Sequence, residues 1–295
     1  MADSPKVWDG KDASEWLAFS GVTGLNVYGL GAVDGGGGGG GVGGIQSCRY
    51  PPHLNGCIKL APTFLSRNKS SLSNLRIINS PQTHVLAMGG LGLLVANLIQ
   101  SSENSPNTDG IDFQYAHSVT ITNTKFGCDQ TSDINIHNVQ CGPRHGMSIG
   151  SLGKDGSFAW VESVLVNNSS FEEAANGAPI KTWQVGSGYV QKIRFDNLKF
   201  DKVENPIMIG EWKMRTECKS KPRGIQIADV SFKGFSETSS TNVAINLKCC
   251  RAKPCTGKAM ESIKLTAAGA GKASAGCSNV HGNEKAVVPG PNLSN

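Results

Sequence analysis

A five-residue pattern recurs along this chain: apolar, any residue, apolar, any residue, asparagine. It reads Leu75-x-Ile77-x-Asn79, Leu93-x-Val95-x-Asn97, Val119-x-Ile121-x-Asn123, Ile134-x-Ile136-x-Asn138, Val164-x-Val166-x-Asn168 and Ile193-x-Phe195-x-Asn197. Weaker copies end in Gly or Ala: Leu25-x-Val27-x-Gly29, Val230-x-Phe232-x-Gly234 and Ile263-x-Leu265-x-Ala267. Alternation with period two marks short strands with one buried face. The asparagine suits a corner, because its side chain hydrogen-bonds nearby backbone and it tolerates left-handed φ. Successive strong copies lie 18, 26, 15, 30 and 29 residues apart. Hairpins would repeat every ~8–12 residues, and a βαβ unit would need amphipathic helices between the strands, where none is visible. The spacing favours an all-β chain wound as a parallel β-helix over a β-sandwich, with coils stacking their apolar positions into one core and their asparagines into a ladder. A solenoid needs no internal boundary, so residues 1–295 are expected to form one domain.

Composition narrows the class further. Glycine makes up 37 of 295 residues and charged residues only 17%, which excludes coiled coils and helical bundles. Seven consecutive glycines, Gly35 to Gly41, are costly to order and read as an excursion from a coil. No Lys-Ser/Thr pair follows them, so they are not a phosphate loop. The formal charge of +5 tolerates a polyanion without demanding one, and no apolar run is long enough to span a bilayer. Nucleic-acid and membrane partners are therefore not expected. Nine cysteines point to an oxidising compartment. The opening MADSPKVWDG has neither a basic n-region nor an apolar h-region, so the chain is expected to lack an export segment. Asn-x-Ser/Thr tripeptides at Asn68, Asn167, Asn168 and Asn292 fit an exported protein.

Three segments carry chemistry. They are Asn107-Thr108-Asp109-Gly110; Cys141 through Gly153, which contains Arg144-His145-Gly146 and Ser148-Ile149-Gly150-Ser151-Leu152-Gly153; and Ile180-Lys181-Thr182-Trp183-Gln184 followed by Gly186-Ser187-Gly188-Tyr189. Each is weak alone, since an Asp before Gly is usually a turn residue and a lone His is usually structural. Together, in this order on a β-helix, they resemble the plant polygalacturonases of glycoside hydrolase family 28. Asn79-Ser80-Pro81-Gln82-Thr83-His84-Val85 and Asn205-Pro206-Ile207 resemble the same family. The resemblance runs from about Trp16 to about Val280. It implies a right-handed, single-stranded β-helix and inverting hydrolysis of α-1,4-galacturonosyl links in pectin (homogalacturonan), without metal or other cofactor. The setting it implies is the extracellular plant cell wall, and the protein is expected to be a monomer. Inversion needs one carboxylic acid to protonate the leaving oxygen and another carboxylate to activate water on the opposite face. By resemblance, Asp109 is the first of the family's three aspartates and His145 its catalytic histidine. Asn107, Arg144 and Lys181 are expected to bind the substrate, Lys181 at the sugar carboxylate.

The same resemblance exposes departures. The family's Gly-Asp-Asp-Cys should follow Phe126-Gly127, where this chain reads Cys128-Asp129-Gln130-Thr131. About eight residues and two aspartates are missing, and the repeat spacing agrees, because the gap from Asn123 to Asn138 is the shortest. Pro179 stands where the family's Arg-Ile-Lys has its arginine, and Arg144 where a glycine precedes the histidine. No Tyr follows Asn205-Pro206-Ile207, and the family's N-terminal portion is expected to be missing. Hydrolysis by this chain is therefore expected to be impaired, and the alternative is an inactive pectin-binding or structural wall protein. Asp129 is the one carboxylate left in the shortened turn. His84, His117 and His137 lack clustered partners, so no metal site is expected. The resemblance also implies a Cys48–Cys57 pair, Cys128 and Cys141 flanking the site's coil, and Cys255 paired with Cys249 or Cys250. It leaves Cys218 and Cys277 without partners.

Overall fold

Among the described residues, coil after coil turns at residues held in the left-handed region, and the computed structural model repeats those turns in register. It describes residues 15–34, 61–65, 68–78, 80, 83–101, 109–122, 132–143, 146–183, 185–211, 224–269 and 271–294. Their contacts divide into two units, 1–127 and 128–295. Both are built from coils of right-handed parallel β-helix. Among the described residues the helical content is one short 3₁₀ turn, Lys154–Gly156.

In the first unit, Glu15–Ser20, Ala61–Leu65, Thr83–Met88 and Asp109–Gln114 form one parallel ladder. Asn26–Tyr28, Asn68–Ser73, Leu91–Ala96 and His117–Thr122 form a second. Ala32–Asp34, Arg76–Ile78 and Ile99–Ser101 form a third. In the second unit, one ladder runs through Ser132–His137, Phe158–Glu172, Ser187–Val203, Gly224–Ser239, Cys255–Ala267 and Val280–Val288. Another stacks Ile149–Leu152, Asn176–Thr182, Asn205–Glu211, Val243–Lys248 and Ser274–Ser278.

The expected core is present in both units. Val27, Leu72, Val95 and Ile121 share one register column in the first. Ile136, Val166, Phe195, Phe232 and Met260 share one in the second. Ile121, Ile136, Val166 and Phe195 are all buried. The Phe195 and Phe232 rings stack 5.3 Å apart at 4°, and Phe235 meets Phe232 edge-on. Each such ring contributes about 1.5–3 kcal/mol by leaving water.

Part of the asparagine ladder is present as well, and Asn123 lies outside the described residues. Asn74, Asn97, Asn138, Asn168 and Asn197 all have φ between 49° and 55°. Asn97 Nδ2 donates to Asn74 Oδ1 at 3.0 Å, and Asn197 Nδ2 to Asn168 Oδ1 at 2.6 Å. A second left-handed column, Asp133, Ser163, Lys192, Asp229 and Gly257, lets the long strands bend without breaking their ladder. Replacing Asn168 with Ala should lower stability by about 1–2 kcal/mol in urea unfolding, since an alanine there meets the left-handed penalty without the amide bond.

Two pattern copies sit elsewhere than the alternation implies. The corner residue of that coil is Asn74, not Asn79, because Ser70 and Leu72 pair with Leu93 and Val95. Ile77 is buried on the neighbouring ladder, and Asn79 lies outside the described residues. Likewise Lys258 and Met260, not Ile263 and Leu265, align with Val230 and Phe232. A polar residue in the apolar slot hid the true register in both coils.

Lys258 takes a core position at 1% exposure. Its Nζ donates to the carbonyls of Ile227 at 3.1 Å and Thr256 at 2.6 Å. Burial pushes its pKa down to about 8, partly opposed by the Asp229 carboxylate. The unfolded chain holds this proton up to the ordinary lysine range, so folding releases it between about pH 8 and 10.5. Stability from this group therefore rises with pH through that window, and its full penalty applies below pH 8. The Lys258→Met variant should lack this rise, which is on the order of 3 kcal/mol, in denaturant melts run from pH 7 to 10.

Candidate active site

The strand Asn176–Thr182 is buried at every residue. Ala178 and Ile180 are fully enclosed in the core, in register with Ile207 and Ile209. Period two turns Pro179 and Lys181 to the opposite face of the sheet. Lys181 is only 4% exposed there, so that face is not an open surface. Pro179, two residues earlier on the same face and beside Met208, offers neither a charge nor a donor.

Backbone contacts around glycines set the height of this strand. Gly150 has φ +102, and a Cβ there would run into the Lys181 carbonyl oxygen. The strand Ile149–Leu152 shifts register at this point, pairing Ile149 with Ile180 and Leu152 with Thr182. The turn beyond Lys181 is then pinned to the coil below. Trp183 N–H donates to the Leu152 carbonyl at 2.8 Å. Gly153 and Gly186 pack so closely that a Cβ on Gly153 would sit 2.6 Å from the Gly186 Cα. The glycines of the Ser-Ile-Gly-Ser-Leu-Gly and Gly-Ser-Gly segments thus position Lys181 through backbone contact. Their close spacing around the candidate motifs was the available sequence signal for that role.

The other expected site residues are less fully described. Asp109 opens the strand Asp109–Gln114 in the first unit, in register with Thr83, and its side chain lies outside the described set. Asn107, Arg144, His145 and Asp129 lie outside the described residues altogether. His84 is buried, and His117 and His137 are half-buried. Among the described residues no group of three His, Cys, Asp or Glu side chains is placed to hold a metal ion.

Cys255 pairs with Cys249, one of the two partners the sequence left open, and Cys250 is also disulfide-bonded. Cys277 is an unpaired, half-buried thiol whose pKa burial pushes up. Cys48, Cys57, Cys128 and Cys218 fall outside the described residues.

Residues 2–288 match the model of the glycosyl hydrolases family 28, and the chain belongs to that family. It is 35% identical over 300 residues to polygalacturonase-2 of Solanum lycopersicum, covering 97% of this chain and 65% of that protein. It is 32% identical over 293 residues to a polygalacturonase of Malus domestica, covering 94% of this chain and 62% of that one. The chain thus spans just under two thirds of the length of these curated relatives. Among solved structures it shares the fold of an endo-xylogalacturonan hydrolase from Aspergillus tubingensis, with TM-score 0.73 and 21% identity, over 93% of this chain and 80% of that one. It also shares the fold of a polygalacturonase from Erwinia carotovora, with TM-score 0.66 and 23% identity, over 90% and 72%.

The Gly150→Ala substitution should displace the strand that carries Lys181. The expected reading is a cooperative transition at least about 2 kcal/mol less stable, from forced left-handed backbone and a direct clash. An unchanged midpoint would mean that the contact does not set the strand's position.

Proposed function

We propose that this chain engages α-1,4-linked galacturonan in pectin at the polygalacturonase site of its family, and that its own hydrolytic step is impaired. The observation that carries the reading is the buried cation Lys181 on the outer sheet face, within a family match that spans nearly the whole chain. In this reading Lys181 pairs with a sugar carboxylate, and Asn107 and Arg144 contact neighbouring parts of the substrate. Asp109 supplies one carboxyl group, and His145 takes the role of the histidine that tunes the acid. Inversion at the anomeric carbon requires a second carboxylate on the opposite face of the ring, and the stretch Gly127-Cys128-Asp129 is too short to bring the family's pair. Pro179 removes the bidentate fork that an arginine would offer the uronate. No metal or cofactor enters this chemistry.

In this reading the protein works outside the cell, in the plant wall, as a monomer. Among the described residues no helix is long and apolar enough to cross a membrane.

The test compares the chain with a repaired version carrying the eight-residue segment between Gly127 and Cys128 together with Pro179→Arg. Reducing-end release from polygalacturonate should be slower in the unrepaired chain by about 10²–10⁴-fold, the usual share of general acid–base catalysis. Both proteins should retain polygalacturonate in affinity electrophoresis, and retention should weaken as salt rises. Equal rates would overturn the impairment and make Asp129 the first residue to replace. Loss of retention at low salt would overturn galacturonan as the ligand.

A further inference from the structure

The sheet that carries Lys181 holds a second cation on the same outward face. Its strands are Ile149–Leu152, Asn176–Thr182, Asn205–Glu211, Val243–Lys248 and Ser274–Ser278, and their only basic residues are Lys181 and Lys248. Leu247 is fully enclosed in the core, in register with Ile209. Period two therefore turns Lys248 outward, and it is exposed. Its ammonium has no hydrogen-bond or ion-pair partner among the described residues.

One coil separates the two lysines. Lys181 is in register with Gly210. On its other side Gly210 meets Lys248: a Cβ at position 210 would lie 3.3 Å from the Lys248 carbonyl oxygen and 3.7 Å from the Lys248 Cβ. Among the described residues nothing else comes within 4 Å of that point. The column thus reads Lys181, Gly210, Lys248, with a gap where the middle side chain would stand. Neighbouring strands lie about 4.8 Å apart, so the gap is one strand from each lysine and within reach of both side chains. Lys181 flanks it from an enclosed position and Lys248 from an exposed one. The adjoining outward column, Pro179, Met208 and Asn246, carries no charge. A gap between two cations, with no carboxylate in either column, suits a single small anionic group.

The backbone that carries Lys248 is held at the next residue. Cys249 N–H donates to the Ser278 carbonyl at 3.0 Å, and Asn279 Nδ2 donates to the Cys249 carbonyl at 2.8 Å. Cys249 is also tied to Cys255 by a disulfide.

We propose that Lys248 is a second substrate-binding cation, which grips together with Lys181 one uronate carboxylate seated over Gly210. Each ammonium donates to one carboxylate oxygen. The two lysines then supply the pair of donors that Pro179 cannot, though as separate point charges rather than a planar fork. This rests on galacturonan as the ligand and on Lys181 as a carboxylate partner, both proposed above.

The test titrates digalacturonate and tetragalacturonate at low salt into the full chain and into its Lys248→Met and Lys248→Arg variants. Lys264→Met, at an exposed lysine of the other ladder, is the control. Lys248→Met should bind both oligomers about two- to fivefold more weakly, the range of an exposed ion pair. Lys248→Arg and Lys264→Met should bind them as the parent does. The fully methyl-esterified dimer, which has no carboxylate, should not distinguish Lys248→Met from the parent. Equal affinity of parent and Lys248→Met for digalacturonate overturns the proposal. So does a loss confined to tetragalacturonate, which would put Lys248 at a more distant sugar, and so does a Lys248 dependence that survives esterification. An equal loss in Lys264→Met also overturns it, by reducing the effect to overall charge. A parent chain that binds neither oligomer overturns the galacturonan reading itself. A parent that binds both, with Lys248→Met unaffected, leaves that reading standing and removes only Lys248.

Discussion

The structure depends on a left-handed corner that an ordinary side chain pays to adopt and an asparagine does not. At Asn74, Asn97, Asn138, Asn168 and Asn197 the backbone bends with φ near 50°. The amide of one coil can then reach the amide of the next, as Asn197 reaches Asn168. Each corner fixes where the next strand begins, and that start determines which residues alternate inward. Burial of Val166, Phe195 and Phe232 in one column is therefore a consequence of turn chemistry as much as of hydrophobicity. The second left-handed column, through Ser163, Lys192 and Asp229, extends the same device to residues with less intrinsic preference for it. There the stacked neighbours, rather than local propensity, hold the conformation.

This dependence explains how much could be read in advance. Where two apolar residues preceded the corner asparagine, as at Val164-x-Val166 or Ile193-x-Phe195, the alternation identified the buried face. It failed where a polar side chain took an inward slot. Ser70 stands in the column ahead of Leu72, and Lys258 ahead of Met260, so the pattern slid to the next apolar pair along the chain. Period two carries no label for which of a coil's strands it describes, and only the pairing of one coil with the next supplies it. The cost of the Lys258 exception is met by two carbonyl acceptors within the coil, an arrangement that composition and spacing cannot reveal.

The candidate site was legible in a different way. Lys181 stood out through its motif, and its burial on the sheet face opposite Ile180 adds the physical reason why a lysine there is unlike an ordinary surface cation. The glycines that set its height were visible as residues but not as contacts. Gly150 against the Lys181 backbone, and Gly153 against Gly186, are approaches between segments some thirty residues apart, which no local pattern encodes.

The division of labour across the strand Asn176–Thr182 has an evolutionary consequence. Ile180 faces the core, while Pro179 and Lys181 face away from it, so the residues that hold the fold and those that would do chemistry alternate along one strand. A substitution on the outer face leaves the inner column intact. Selection for folding is then blind to what changes on the outer face. A lineage built on such coils can shed its reaction in small steps while every intermediate remains a well-folded, secretable protein, free to be kept for whatever its surface still binds.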